Sequence, residues 1–193
     1  MRHTDPLPDG RQQRGLRNRT ALVQALFDLI GEGILQPTAQ QIADRADVGI
    51  RTVFRHFEDM ESLLAEVNER VREHTRPLFR EPRTGGSLAE RSRALVERRL
   101  RVFERIAPYK RSGNLQRWRS RFVDREHTIM ARELRADLLA WLPEIRSDRA
   151  TLEALDVALS FETWDRLRTD QRLGRDAACS VVDRLVQSLL DTR

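Results

Sequence analysis

The sequence predicts an all-α protein: a three-helix helix-turn-helix domain followed by a C-terminal helical bundle, about nine helices in all. Three observations carry this. Apolar residues recur at three- and four-residue steps, the mark of helices that each bury one stripe, as at Leu22, Val23, Leu26, Phe27 and Ile30. Two capping boxes, Thr38-x-x-Gln41 and Ser87-x-x-Glu90, announce helix starts. No segment alternates apolar and polar as a half-buried strand would, and there is no internal repeat.

Residues 1–16 hold Pro6, Pro8, Gly10 and Gly15 among charges with no apolar period, so a flexible basic arm is expected there. Such an arm can place Arg11 and Arg14 in a neighbouring minor groove; the alternative is a tail with incidental charge. Helix 1 should run from about Arg17 to Ile30, ended by Gly31 and Gly33.

Thr38–Phe57 reads as a short helix, a tight turn and a second short helix. Thr38 caps the first, whose inward residues are Ile42 and Ala43, with small Ala46 where a second helix must cross closely. Asp47-Val48-Gly49 breaks it, Asp tolerating positive φ better than most residues. In the second helix Val53 and Phe57, four apart, pack inward towards Val48 and Ile42. Ile50, Arg51, Thr52, Arg55 and His56 are left facing outward with no carboxylate among them. That face suits a major groove lined by phosphates and acceptor-rich guanines.

A connecting helix 4 is expected over 58–76, capped by Asp59, carrying Leu63, Leu64, Val67 and Val71, and stopped by Pro77. Leu78–Gly86, with Pro82, Gly85 and Gly86, reads as a linker. From the Ser87 cap a helix extends to about Ile106 through Leu88, Leu95, Val96, Leu100 and Phe103. Pro108 and Gly113 bracket an irregular piece, and a long helix then runs from Asn114 to Pro143 with Leu115, Trp118, Phe122, Met130, Leu134, Leu138 and Trp141 as one stripe. Ser147 or Asp148 caps a helix continuing through Leu152, Leu155, Leu159, Phe161, Trp164 and Leu167. After a Leu173-Gly174 turn, a final helix spans about Arg175 to Leu190 with Val181, Val182, Leu185 and Leu189 inward.

Composition bounds the function. The 193 residues are 39% hydrophobic with a pI near 10.6, and every basic residue except Lys110 is arginine, which points to a polyanion partner. Charge is nonetheless spread evenly: residues 1–57 hold eight arginines against six acids, and residues 58–193 hold 27 basic against 24 acidic. The arrangement on the second short helix, rather than global charge, singles out the candidate interface. Cys179 stands alone, so no intrachain disulfide is possible and a reducing compartment fits. No apolar run approaches a membrane span and no signal-peptide core is present, so a cytoplasmic protein without a membrane partner is expected.

The stretch from Ile42 to Leu64, IADRADVGIRTVFRHFEDMESLL, resembles the signature of the TetR/AcrR family of bacterial transcriptional regulators. The matching residues are Ile42, Ala43, Ala46, Val48, Thr52, His56, Phe57, Leu63 and Leu64, with Phe54 where tyrosine is usual. Gly49, Asp47 and Met60 also depart from the usual Ser, Gly and Lys. Phe54 and Met60 thereby lack a phenol and an ammonium that in the family reach phosphates, which shifts weight onto Arg51, Arg55 and the arm.

The resemblance implies a helix-turn-helix DNA-binding domain over 17–57, with its motif at 38–57, and a regulatory and dimerisation domain over 77–193. Arg51 and Arg55 are the expected base-edge contacts, with Ile50 against a thymine methyl. Thr38, Gln40, Thr52, Phe54 and His56 are expected near phosphates, and Gly49, an acceptable N-cap of the second helix, is counted with the DNA-binding residues. It also implies a homodimer, formed by the last two helices through Leu155, Leu159, Phe161, Trp164, Val182, Leu185 and Leu189. A body cavity for a small apolar effector is implied, and Phe103, Tyr109, Trp118, Phe122, Met130 and Trp141 are its expected lining, with Arg99 and His127 near apolar faces. The expected function is a repressor released from a palindromic double-stranded operator by the effector. No cofactor, metal or catalytic residue is expected, since no HExxH, GxGxxG, P-loop or zinc spacing occurs. Two rivals come from other classes: a helical adaptor whose basic face binds an acidic protein, and a small helical enzyme using the body cavity.

Overall fold

Side-chain N-caps at Thr38, Ser87, Ser120, Asp148 and Ser160 set where five of the described helices begin. The computed structural model describes residues 10–57, 60–78 and 85–192. Among the described residues nine α-helices and two short 3₁₀ turns occur, and no strand. In order they are α1 (Gly10–Gly31), α2 (Ala39–Ala46), α3 (Ile50–Phe57), α4 (Met60–Thr75), α5 (Leu88–Gln116), α6 (Arg121–Trp141), α7 (Arg149–Ala158), α8 (Phe161–Thr169) and α9 (Arg175–Asp191). The 3₁₀ turns are Arg76–Leu78 and Pro143–Ser147. None of these helices is long and apolar enough to cross a membrane.

Four boundaries differ from expectation. α1 starts at Gly10, so residues 10–16 are helical rather than arm; the Arg, Gln and Leu residues there are good helix formers and outweigh two glycines. α5 continues through Pro108 and Gly113. Proline in a helix interior forfeits one hydrogen bond, yet the stop comes only after Gln116. Ser120 then starts α6, its hydroxyl accepting from the Val123 amide at 3.3 Å. The expected single helix over 152–167 is two, because Ser160 caps α8 by accepting from the Thr163 amide at 3.1 Å. The Asp59 cap of α4 and Pro82 of the linker lie outside the described residues.

The chain divides into two units. The first comprises residues up to His74 together with Pro108–Gln116. Its core is the apolar stripe of α1 (Leu22, Val23, Leu26, Leu29, Ile30) closed by Ile42 and Ala43 of α2, Val53 of α3, and Leu63 and Val67 of α4. α1 is tied to α4 by Arg19, which donates to Glu66 at 2.5 Å and to Ser62, and by Arg70, which donates to Gln24.

The second unit holds the remaining parts of the chain, including residues 88–107 of α5 and all of α6–α9. Leu95, Leu100, Phe103, Leu138, Trp141, Leu155, Phe161, Trp164 and Val182 form its interior, and Phe103 meets Phe161 edge-on. Inside it Arg98 and Arg99 both donate to Oδ2 of Asp137, Arg99 at 2.9 Å, and Arg99 also reaches the Leu134 carbonyl at 2.7 Å. Burial pushes the Arg99 guanidinium below the ordinary arginine range, and Asp137 pushes it back up.

The inward stripe of α9 is Ala178, Val182, Val186 and Leu190. Val181 and Leu185, expected inward, are 37% and 43% exposed. The helix is apolar on two faces, so periodicity alone did not choose between them.

Candidate nucleic-acid interface

Local chemistry builds the helix-turn-helix from its ends. Thr38 accepts from the Gln41 amide at 3.2 Å while the Gln41 side chain accepts from the Thr38 amide at 2.8 Å, completing the capping box. α2 ends with Asp47 in the left-handed region, φ 52°, and the next amide, Val48, returns to the Ala43 carbonyl at 3.1 Å. That closing bond satisfies carbonyls a helix end otherwise leaves open. The Thr52 amide then bonds the Gly49 carbonyl at 2.8 Å as α3 begins.

α3 is anchored by a single described side chain, Val53, which is fully buried. Around it Ile50, Arg51, Phe54 and Arg55 are exposed, Phe54 by 57%, while Thr52 and His56 are half-buried. Thr38, Gln40 and Gly49 are exposed at the entry to the same motif. The nine residues expected to meet DNA thus lie on the N-terminus of α2, the turn and α3, within a span of 19 residues counted from Thr38 to His56. Among the described residues no carboxylate pairs with Arg51 or Arg55, so both guanidiniums keep their donor forks for another partner. Gln40, by contrast, already donates to Asp44 at 2.7 Å.

One element of the site was not read from sequence. Both amino groups of Arg45 donate to the two Glu32 oxygens at 2.8 Å, pinning the last turn of α2 to the end of α1. The hydrogen bond from Arg45 holds the Glu32 carboxyl below its ordinary range. The pair is 13 residues apart and leaves no local signature, so sequence offered no signal for it.

The other expected sites fare differently. Of the six residues expected to line a cavity, Phe103 and Trp141 are buried in the second unit, Trp141 beneath Arg98 with the guanidinium 4.9 Å from the ring centre. Phe122 and Met130 are half-buried along α6, and Trp118, in the turn before α6, is 90% exposed. Tyr109 belongs to the first unit, stacked on Phe27 with ring centres 4.8 Å apart. Tyr109 thus falls in a different unit from Phe103, Trp118, Phe122, Met130 and Trp141. Counting a single stripe through residues 117–120 crossed a helix break, and phase is lost at a break. Arg99 is buried and bound to protein groups, as above; His127 is half-buried.

Of the seven residues expected at a dimer interface, Leu155, Leu159, Phe161, Trp164 and Val182 are at most 1% exposed within the single chain. They serve its own interior, because α7 to α9 pack on one another through those faces. Leu189 is half-buried, and Leu185 is exposed beside Val181, with Val157 exposed on α7.

Residues 22–67 match the family model of bacterial regulatory proteins of the tetR family. Across the whole chain the fold is similar to that of a transcriptional regulator from Rhodococcus sp. Rha1, with a TM-score of 0.66 and 17% sequence identity over 92% of this chain and 96% of that one. No curated protein matches the chain.

Proposed function

We propose that this chain, a TetR-type transcriptional regulator, is a homodimeric repressor that binds a palindromic operator and is released by a small-molecule effector. One observation carries the DNA-reading part: α3 holds Arg51 and Arg55 exposed and uncommitted around a buried Val53, with no acidic residue in the helix. A guanidinium fork pairs with the O6 and N7 acceptors of guanine, so these two side chains are the base readers. Thr38, Gln40, Thr52, Phe54 and His56 set the register on phosphates.

A dimer places two such helices about 34–36 Å apart, one turn of duplex, and so reads a pseudo-palindrome. The exposed faces of α7 and α9, with Val157, Val181 and Leu185, supply the apolar surface for it. Release by an effector requires that it bind the DNA-incompetent state better, and a coupling of roughly 1–3 kcal/mol lowers operator affinity about 5- to 150-fold.

The test is to incubate the purified protein with fragmented genomic DNA at near-physiological salt and sequence what is retained. A shared short palindrome is the expected result. Recovery without a common motif rules out specific operator binding and favours the adaptor reading.

A further inference from the structure

The end of α5 is part of the DNA-binding unit although it lies far from it in sequence. After Pro108 the helix belongs to the first unit, and three features seat it there. Tyr109 stacks on Phe27 of α1 with ring planes 24° apart, and Phe27 in turn meets His74 of α4 at 5.0 Å. Gly31, the last residue of α1, leaves the space for the ring: a Cβ at that position would stand 2.8 Å from the Tyr109 hydroxyl oxygen and 3.6 Å from the carbon bearing it. Three residues along, the Ser112 hydroxyl donates to the Leu35 carbonyl at 2.7 Å. Together these contacts hold the end of α1 and the loop that delivers the chain to the Thr38 cap.

We infer that Tyr109 and Ser112 are positioning residues for operator recognition: they fix the α1–α2 loop and with it the register of the helix-turn-helix. The inference rests on the DNA-binding reading above.

The test is a cycle of Gly31→Ala and Tyr109→Phe in the full chain. Alanine at 31 collides with the hydroxyl and displaces the ring; removing the hydroxyl leaves only the ordinary contact at 3.6 Å. Gly31→Ala should therefore lose operator affinity by roughly 2- to 12-fold, the fold-change equivalent of an aromatic pair, and Tyr109→Phe in the same chain should restore it. Alanine is the better helix former, so propensity opposes the expected loss. Binding to a scrambled duplex and the salt slope should stay unchanged, because no phosphate contact is lost. The docking is also read without DNA, as faster amide exchange at Gly33 and Ile34 in Gly31→Ala and its recovery in the double variant. Should Gly31→Ala fail to fold, Ser112→Ala gives the same two readouts.

Unchanged affinity and exchange in Gly31→Ala, or losses that persist in the double variant, would overturn the inference. Altered exchange with unaltered operator affinity would also overturn it. Failure of the genomic selection, with the exchange cycle intact, would instead strike the DNA-binding reading.

Discussion

Asp137→Ala tests how the second unit holds its buried charges. Arg98 and Arg99, 5% and 2% exposed, share one Asp137 oxygen. The Asp137 side chain is itself only 16% exposed, so solvent screens the interaction little. Removing one partner of a buried pair costs about 3–5 kcal/mol, because the remaining charge stays desolvated without compensation. Both guanidiniums lose that carboxylate, and a cost within this range is expected. For a chain of this size each kcal/mol lowers Tm by about 2–4 °C, so a drop of roughly 6–20 °C should appear in thermal unfolding followed by circular dichroism. Asp124→Ala, on the same helix, is the control. Its partner Arg117 is 33% exposed and Asp124 54%, and an exposed pair is worth about 1 kcal/mol or less. If the two variants melt within about 2 °C of each other, buried charge pairing does not organise this unit.

Other perturbations separate the remaining parts of the reading. Arg51→Ala should weaken operator binding by roughly 1–3 kcal/mol and relax preference at one base position in each half-site; equal weakening on all sequences would make Arg51 a phosphate contact only. Leu185→Glu should give monomers that keep their helicity, since Leu185 is 43% exposed, and an unchanged sedimentation coefficient would remove α9 from the interface. Trp164→Glu should instead unfold the chain, its ring being 1% exposed; a folded monomer from that variant would contradict the packing. Glu32 titrates below its ordinary value of 4.5 because Arg45 bonds it, so its contribution is present above that pH and lost as pH falls through the lower folded value. Melting curves of wild type and Glu32→Gln should accordingly converge in acid; a constant gap down through that range would show that the Glu32 carboxylate is not the cause.

Legibility followed the range of the interaction. Helix ends written by a side chain three residues from its target were readable: the Thr38 and Ser87 capping boxes both form as the spacing predicted. Phase was readable only within an unbroken helix with one apolar face. It failed where Ser120 interrupts the stripe containing Trp118, and on α9, where Val181 and Val182 offer two faces. A strong local breaker also misled, since Pro108 does not end α5.

The sequence by itself determined that the chain is helical, where the helix-turn-helix lies, and that Ile50, Arg51 and Arg55 of α3 turn outward, though not that Thr52 and His56 are half-buried or that Phe54 is exposed. All three depend on contacts a few residues apart. Tertiary structure alone decided that Arg99 is an interior tie, that Trp164 is core, and that Tyr109 serves the first unit through Phe27 and Gly31. Those assignments depend on which surfaces meet across tens of residues. An apolar or aromatic side chain looks the same in sequence whether it covers its own core, a partner or a ligand, and only the meeting surfaces distinguish them.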